Sequence, residues 1–257
     1  MRRIAIALFT CIMILLSTAM VASPQSIAYG HTWGGKEYDF ESAIAVDSVG
    51  NVYIAGYSVA AGTWITSGFL AKFDPNGNLQ WSKEISSQFS DSCIVTQLAV
   101  AESGDVYVTG QTSQSGSTAF VAKFTSDGTL LYSRGLSNLS YPESLAVDPT
   151  TGGFVIAATS TSNWMGVVAA FNADGSWKWM RYEPTYQAYP YGVAVNADGN
   201  TYAFCDISTY GTVVGLTKFD ATGNVLAQKR LNTAAVGQAA WDVRFAPDGN
   251  LVALGTR

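Results

Sequence analysis

The sequence is poor in charge and almost devoid of histidine. Charged residues make up 13% of its 257 residues, and the single histidine is His31. One histidine cannot supply a His-rich metal centre. Nor does it suit a Ser-His-Asp nucleophile system, since it falls in an isolated N-terminal strand. No basic cluster occurs and the formal net charge is −5, which excludes nucleic acid and anionic membrane surfaces as partners. Cysteine is scarce too. Cys11 lies in an apolar leader, leaving Cys93 and Cys205. The repeats described below place these two in different blades, too far apart for a disulfide. No cofactor and no metal is called for.

There is one long apolar run. Arg2 and Arg3 precede Ile4–Leu16, and small residues follow to Ser23. This reads as an export signal over residues 1–23, with cleavage after Ala22 or Ser23. An uncleaved anchor is the alternative, since the stretch approaches membrane-spanning length. The expectation is a secreted, periplasmic or cell-surface protein with no stable span once the signal is removed.

What the chain does have is glycine, aromatics at 12% and a repeat. The segments Ser42 to Gly56, Gln97 to Gly110, Ser144 to Ala158, Gly192 to Cys205 and Asp242 to Gly255 share one wording. Each places a turn glycine, Gly50, Gly104, Gly152, Gly199 or Gly249, between two short β-rich runs. A second pair of runs follows in four of the units, as in Phe69 to Trp81 and Phe120 to Tyr132. Gly and Asn fit these turns because tight hairpins require positive φ. Acidic residues in the turns raise the question of calcium, but no turn offers enough oxygen ligands, so they read as turn chemistry.

Four strands in a unit of about 50 residues is the period of a propeller blade. The predicted fold is therefore all-β, a β-propeller of four-stranded antiparallel blades. The blades fall at about 41–86, 95–137, 142–183 and 190–231, with a partial fifth at 240–257. Residues 26–33 read as a lone outer strand that closes the propeller, within a domain spanning 26–257. The partial fifth unit leaves two possibilities, a five-bladed ring or a fragment of a six- to seven-bladed one, and the half-finished repeat favours the fragment.

The wording LAVDxxGNVYVxG followed by AFVAKFxxxGxLxW resembles the bacterial β-propeller repeat of the SBBP type, a seven-bladed class. The resemblance runs over residues 26–257 and implies the fold while implying no particular activity. A weaker likeness to quinoprotein blades comes from Trp81 and Trp179. It fails at Tyr132 and Ala227, which occupy the same position in other units.

Alternating strand direction sends the loops between strands 2 and 3, and those between blades, to one face. Function tends to reside in such loops. Tyr38, Glu41, Trp64, Asp91, Tyr141, Trp164, Tyr189, Tyr191, Tyr210, Trp241 and Asp242 are expected there, with Glu143 close by. Aromatic platforms beside carboxylates suit stacking on sugar rings or gripping a peptide. The expected function is a binding or scaffold module for carbohydrate or protein, with no catalytic residue assigned. The alternative is a carbohydrate-active or quinoprotein-like enzyme using acidic residues near the axis, such as Glu41 with Asp91 or Asp242.

Overall fold

Short β-rich runs bounded by Asp-x-x-Gly-Asn turns can satisfy their backbone only by pairing with sequence neighbours, and that is what they do. The computed structural model describes residues 38–63, 65–85, 92–112, 118–182, 188–208, 212–231, 239–246 and 248–256. The proposed signal at 1–23, the closing strand at 26–33, His31, Trp64, Asp91 and Tyr210 lie outside the described residues.

Among the described residues eighteen strands form successive blades. Blade one holds β1 (Tyr38–Val46), β2 (Val52–Val59), β3 (Thr66–Phe73) and β4 (Leu79–Ile85). Blade two holds β5 (Cys93–Val100), β6 (Val106–Thr112), β7 (Thr118–Phe124) and β8 (Leu130–Leu136). Blade three holds β9 (Leu139–Val147), β10 (Phe154–Ser160), β11 (Gly166–Phe171) and β12 (Trp177–Tyr182). Blade four holds β13 (Ala188–Val195), β14 (Thr201–Ser208), β15 (Thr212–Phe219) and β16 (Val225–Leu231). Blade five contributes β17 (Ala239–Phe245) and β18 (Leu251–Thr256). Each of the first four is an antiparallel sheet in simple sequence order, and β17–β18 is a two-stranded hairpin. Among the described residues no helix is long and apolar enough to cross a membrane.

The core lies between blades. Alternate residues of a strand face opposite sides of the sheet, so each interior blade presents an apolar surface to both neighbours. In β6, Val106 and Val108 pack with Tyr53, Ala55 and Leu70 of blade one. Tyr107, between them, packs with Leu145, Phe154 and Ile156 of blade three. The same weave joins blades three and four through Val155, Trp179, Val193 and Phe219. Blades four and five meet through Phe204, Ala240 and Val243. Cys93 and Cys205 are buried thiols in blades two and four, and burial pushes the Cys93 thiol up to about 11.

A second tie repeats at the rim. In blades one to three an aromatic side chain of the outer strand lies on the β3–β4-type turn of the next blade. Trp81 Nε1 donates to the Ser126 carbonyl at 3.2 Å, the Tyr132 hydroxyl to that of Ala173 at 3.2 Å, and Trp179 Nε1 to that of Ala221 at 3.1 Å. These rings cover Gly128, Gly175 and Gly223, each in a left-handed conformation. The turn glycine is thus needed twice, for its φ and for the ring pressed against it. The turn carboxylates serve their own loops: Asp47 Oδ1 accepts from Val49 N and Asn51 N, and Asp220 Oδ1 from Thr222 N and Asn224 N.

These contacts separate two costs by mutation. Gly152 has φ 67 and only the Ala173 Cβ near its missing side chain, at 3.7 Å, whereas a Cβ on Gly223 would meet Trp179 at 2.7 Å. Gly152→Ala should cost about 1–2 kcal/mol for the left-handed backbone alone. Gly223→Ala should cost measurably more, read as a larger loss of urea midpoint at unchanged slope.

Candidate binding face

The uniform turns and the variable loops do sort to opposite ends of the strands. Turns 47–51, 74–78, 101–105 and 125–129 repeat one hydrogen-bond pattern, in which the turn glycine N–H donates to the first residue's carbonyl. At the opposite end, among the described residues, lie the loop segments around 60–63 and 161–165 and the short link 137–138, which differ in length and sequence.

At that second end the first strand of every blade carries a bulge. The pairing register skips between Glu41 and Ala43, between Val95 and Gln97, between Pro190 and Gly192, and between Ala240 and Asp242. In blade three it skips from Ser140 to Ser144. The residues left off the ladder are therefore Ser42, Thr96, the trio Tyr141–Pro142–Glu143, Tyr191 and Trp241. A bulge re-aims side chains out of the sheet's alternation. The close backbone approach is clearest in blade two, where a Cβ on Gly110 would fall 1.9 Å from the Ile94 carbonyl oxygen.

Blade three has Ala158 at that position and the longest excursion, and there the chain is strained. Tyr141 has φ 48 and Trp164 has φ 57, the only non-glycine residues with positive φ among those described. For bulky side chains this conformation costs roughly 1–3 kcal/mol each. Both rings are exposed, and their centroids are 6.4 Å apart. The surrounding loop is firmly held. Trp164 N donates to the Ser160 carbonyl at 3.0 Å, Ser160 N to that of Met165 at 2.8 Å, and Thr161 N to that of Asn138 at 3.1 Å. The Thr96 hydroxyl of blade two donates to the Pro142 carbonyl at 2.8 Å.

Next to this pair lies a group of ionisable side chains from blades three and four. Tyr191 interacts electrostatically with Asp206, Glu143 and Tyr189, and burial together with these acidic neighbours raises its phenol. Glu143 reaches solvent, but the protein around it displaces enough water to raise its carboxyl above the ordinary value. Burial likewise raises Asp206, against a lowering hydrogen bond from Ala240 N. Asp206 pairs in register with Tyr189. Sequence reasoning missed it because it sits inside a strand, and the only signal was an acid where the other blades have Tyr57, Gln111 and Thr159.

The remaining sequence-derived residues are dispersed. Tyr38 and Glu41 are exposed on β1 in blade one, and Trp241 is exposed on β17. Asp242 is paired with Arg244 at 2.6 Å. The structure thus brings Tyr141 to Trp164 and Tyr191 to Tyr189, Glu143 and Asp206.

The sign of the Glu143 effect on stability follows from its raised carboxyl. Ionisation is harder in the folded state, so above its unfolded value of about 4.5 the group weakens the fold. Below that value both states are protonated and the effect vanishes. Glu143→Gln should therefore raise Tm at pH 7 and leave it unchanged near about pH 3.5, as measured by thermal unfolding at the two pH values.

Residues 33–60 match the family model of the SBBP β-propeller repeat. No curated protein matches the chain. Among solved structures, hydrazine synthase of Kuenenia stuttgartiensis is similar at a TM-score of 0.55 and 14% identity, over 84% of this chain and 83% of that one. A chain of the nidogen/laminin complex gives 0.54 at 14% identity, over 84% and 72%. The β-propeller domain of the trilobed protease from Pyrococcus furiosus, described as having an open velcro topology, gives 0.53 at 9% identity, over 83% and 62%. At such identities the likeness concerns the fold alone. Repeat wording, four-stranded blades and structural likeness agree on a β-propeller fold, and residues 33–60 carry the SBBP-type repeat.

Proposed function

We propose that this protein is a secreted or cell-surface binding module whose loop face takes a carbohydrate. The observation that carries the reading is the Tyr141–Trp164 pair. Two large aromatic side chains are exposed side by side on backbone that would be relaxed with glycine. Strain of this kind persists where the surroundings impose it, and it clusters at ligand sites. Exposed aromatic rings on a fixed backbone stack on the apolar face of a sugar with little loss of side-chain entropy. Carboxylates such as Glu143 accept hydrogen bonds from its hydroxyls. The acidic balance of the chain fits a neutral ligand better than an anionic one. The leader at 4–22 supports export.

A hydrolytic reading has one observation in its favour, the raised carboxyl of Glu143, which suits a general acid. The sequence-derived pairing of Glu41 with Asp242 suits it less well, because Asp242 is held by Arg244. That reading requires oligosaccharide turnover that is lost in Glu143→Gln.

Tyr141→Gly and Trp164→Ala test the binding reading together on an array of soluble oligosaccharides. Trp164→Ala should weaken retention by at least about tenfold, the scale of one aromatic stacking contact. Tyr141→Gly should weaken it as well while raising stability by about 1 kcal/mol, since the left-handed backbone is relieved. Binding that is unchanged in both variants would exclude this face.

A further inference from the structure

At one cross-strand pair the four-stranded blades are coupled in size. The second strand has Gly56, Gly110, Ala158 and Cys205, and opposite them the third strand has Phe69, Phe120, Val167 and Gly215. As the first member grows, the second shrinks. Blade one shows why, because a Cβ on Gly56 would fall 2.9 Å from Phe69 Cζ: the ring lies across the glycine. Phe120 and Val167 are buried at the interfaces of their blades with the preceding ones.

In blade four the compensation falls short. Cys205 is larger than glycine, and Ile207 stands where the other blades have Ser58, Thr112 and Ser160. Ile207 leans toward the gap, its Cδ1 2.5 Å from where a Cβ on Gly215 would be. A cavity of about 200 Å³ remains, lined by Cys205, Ile207, Gly215, Thr217, Gln228 and Arg230 among others. By register these six lie on the side of blade four that packs on blade three. Both blades have all four strands. The lining is graded, apolar at Cys205, Ile207 and Gly215, polar at Thr217 and Gln228, and cationic at Arg230. Gln228 Nε2 donates to Thr217 Oγ1 at 3.4 Å, which leaves its second N–H for a guest. Arg230 pairs in register with Gly215, so its side chain stands beside the place that the ring takes in blades one and two. It is exposed, and it takes no part in the two ion pairs among the described residues. Arg181, across the interface on blade three, is engaged with the carbonyls of Gly223 and Thr222.

We propose that this cavity binds a small aromatic carboxylate of the size of benzoate. The ring takes the place that Phe120 fills in blade two, and the carboxylate rests on the Arg230 guanidinium. Size permits it, since an apolar cavity of about 150 Å³ holds benzene. Charge favours it, because an arginine fork meets a carboxylate with two parallel hydrogen bonds. Gln228 donates a further one from the polar wall. The site is formed by β14, β15 and β16, away from the Tyr141–Trp164 pair on blade three, and does not depend on the carbohydrate reading.

Titration of the full chain with benzoate, followed by nuclear magnetic resonance, tests this. Wild type should bind with a dissociation constant on the order of 1 mM. Benzamide, the same ring without the charge, should bind at least about tenfold more weakly. Arg230→Gln should weaken benzoate by about tenfold, the scale of one charge-assisted hydrogen bond, and leave benzamide unchanged. Arg230 is exposed, so this variant should keep the wild-type far-ultraviolet circular dichroism. Trp164→Ala should leave benzoate binding as it is, because the loop face takes no part. Combining Cys205→Gly, Ile207→Thr and Gly215→Phe gives blade four the residues of blade two; this chain should lose benzoate binding while keeping the wild-type dichroism. Three outcomes would overturn the proposal: wild type that does not bind benzoate, an Arg230→Gln chain that binds it as wild type does, or a folded triple variant that still binds it.

Discussion

No blade of this protein has a core of its own. A four-stranded sheet buries nothing by itself, and the apolar residues on both sides of β6 and β10 find partners only in the blades before and after. Everything else in the fold answers to that constraint. Interior strands are apolar without alternation, because neither face is solvated. Residues at the inner strand are small, Ala45, Ala99, Ala146 and Ala194, because sheets crowd there. The rim is held by single aromatic side chains that reach across to the next blade's turn, so inner and outer edges are tied by different chemistry. Stability in such an array accumulates from neighbour to neighbour. A loss at one interface is therefore local in origin even when its effect is global.

Much of this was legible in the sequence. The turn glycines and the Ala-Val strand starts announce the repeat, and the repeat length announces the blade. The Tyr–Lys pairs could also have been read: Tyr53 with Lys72, Tyr107 with Lys123 and Tyr202 with Lys218 stand opposite in register, each amine 5.0–5.3 Å from the ring. Where blade three abandons one member, it abandons both, with Val155 opposite Ala170. Trp81 and Trp179, by contrast, invite comparison with quinoprotein blades, and only the geometry gives their role as lids on the next turn glycine. Tyr132 in the same place does the same work, so the substitution that weakened the family likeness leaves the physical function intact.

The candidate site was less legible, for a physical reason. Tyr141, Tyr191 and Trp241 could be assigned to the loop-rich end by strand polarity, but nothing in a period-two pattern reveals that they lie on a bulge. One residue added to a strand shifts the facing of those beyond it, and the sequence on either side still reads as a good strand. The left-handed backbone at Tyr141 and Trp164 is invisible for the opposite reason. Sequence signals for positive φ are Gly, Asn and Asp, and these two residues violate the signal. Asp206 was missed because a strand-interior acid looks like a solvent-facing residue until the blade packed against it is known.

The bulge also explains how a repeat protein acquires an individual site. Turn residues at one end of the strands share a common wording set by their positive-φ glycines, and in blades two to four the β3–β4-type turn also supports the aromatic lid of the preceding blade. Bulge residues at the other end stand off the ladder, and of them only Tyr191 packs against an interblade core cluster among the described residues, so their identity is less constrained. They are Ser, Thr, Glu, Tyr and Trp in successive blades. The same backbone feature is thereby used five times with five chemistries, and specificity becomes a matter of which side chain occupies it. In blade three the device goes further, since two extra residues force Tyr141 into a conformation that glycine would adopt without strain. A tyrosine kept there against the local preference of the backbone makes sense when its ring is used outside the fold.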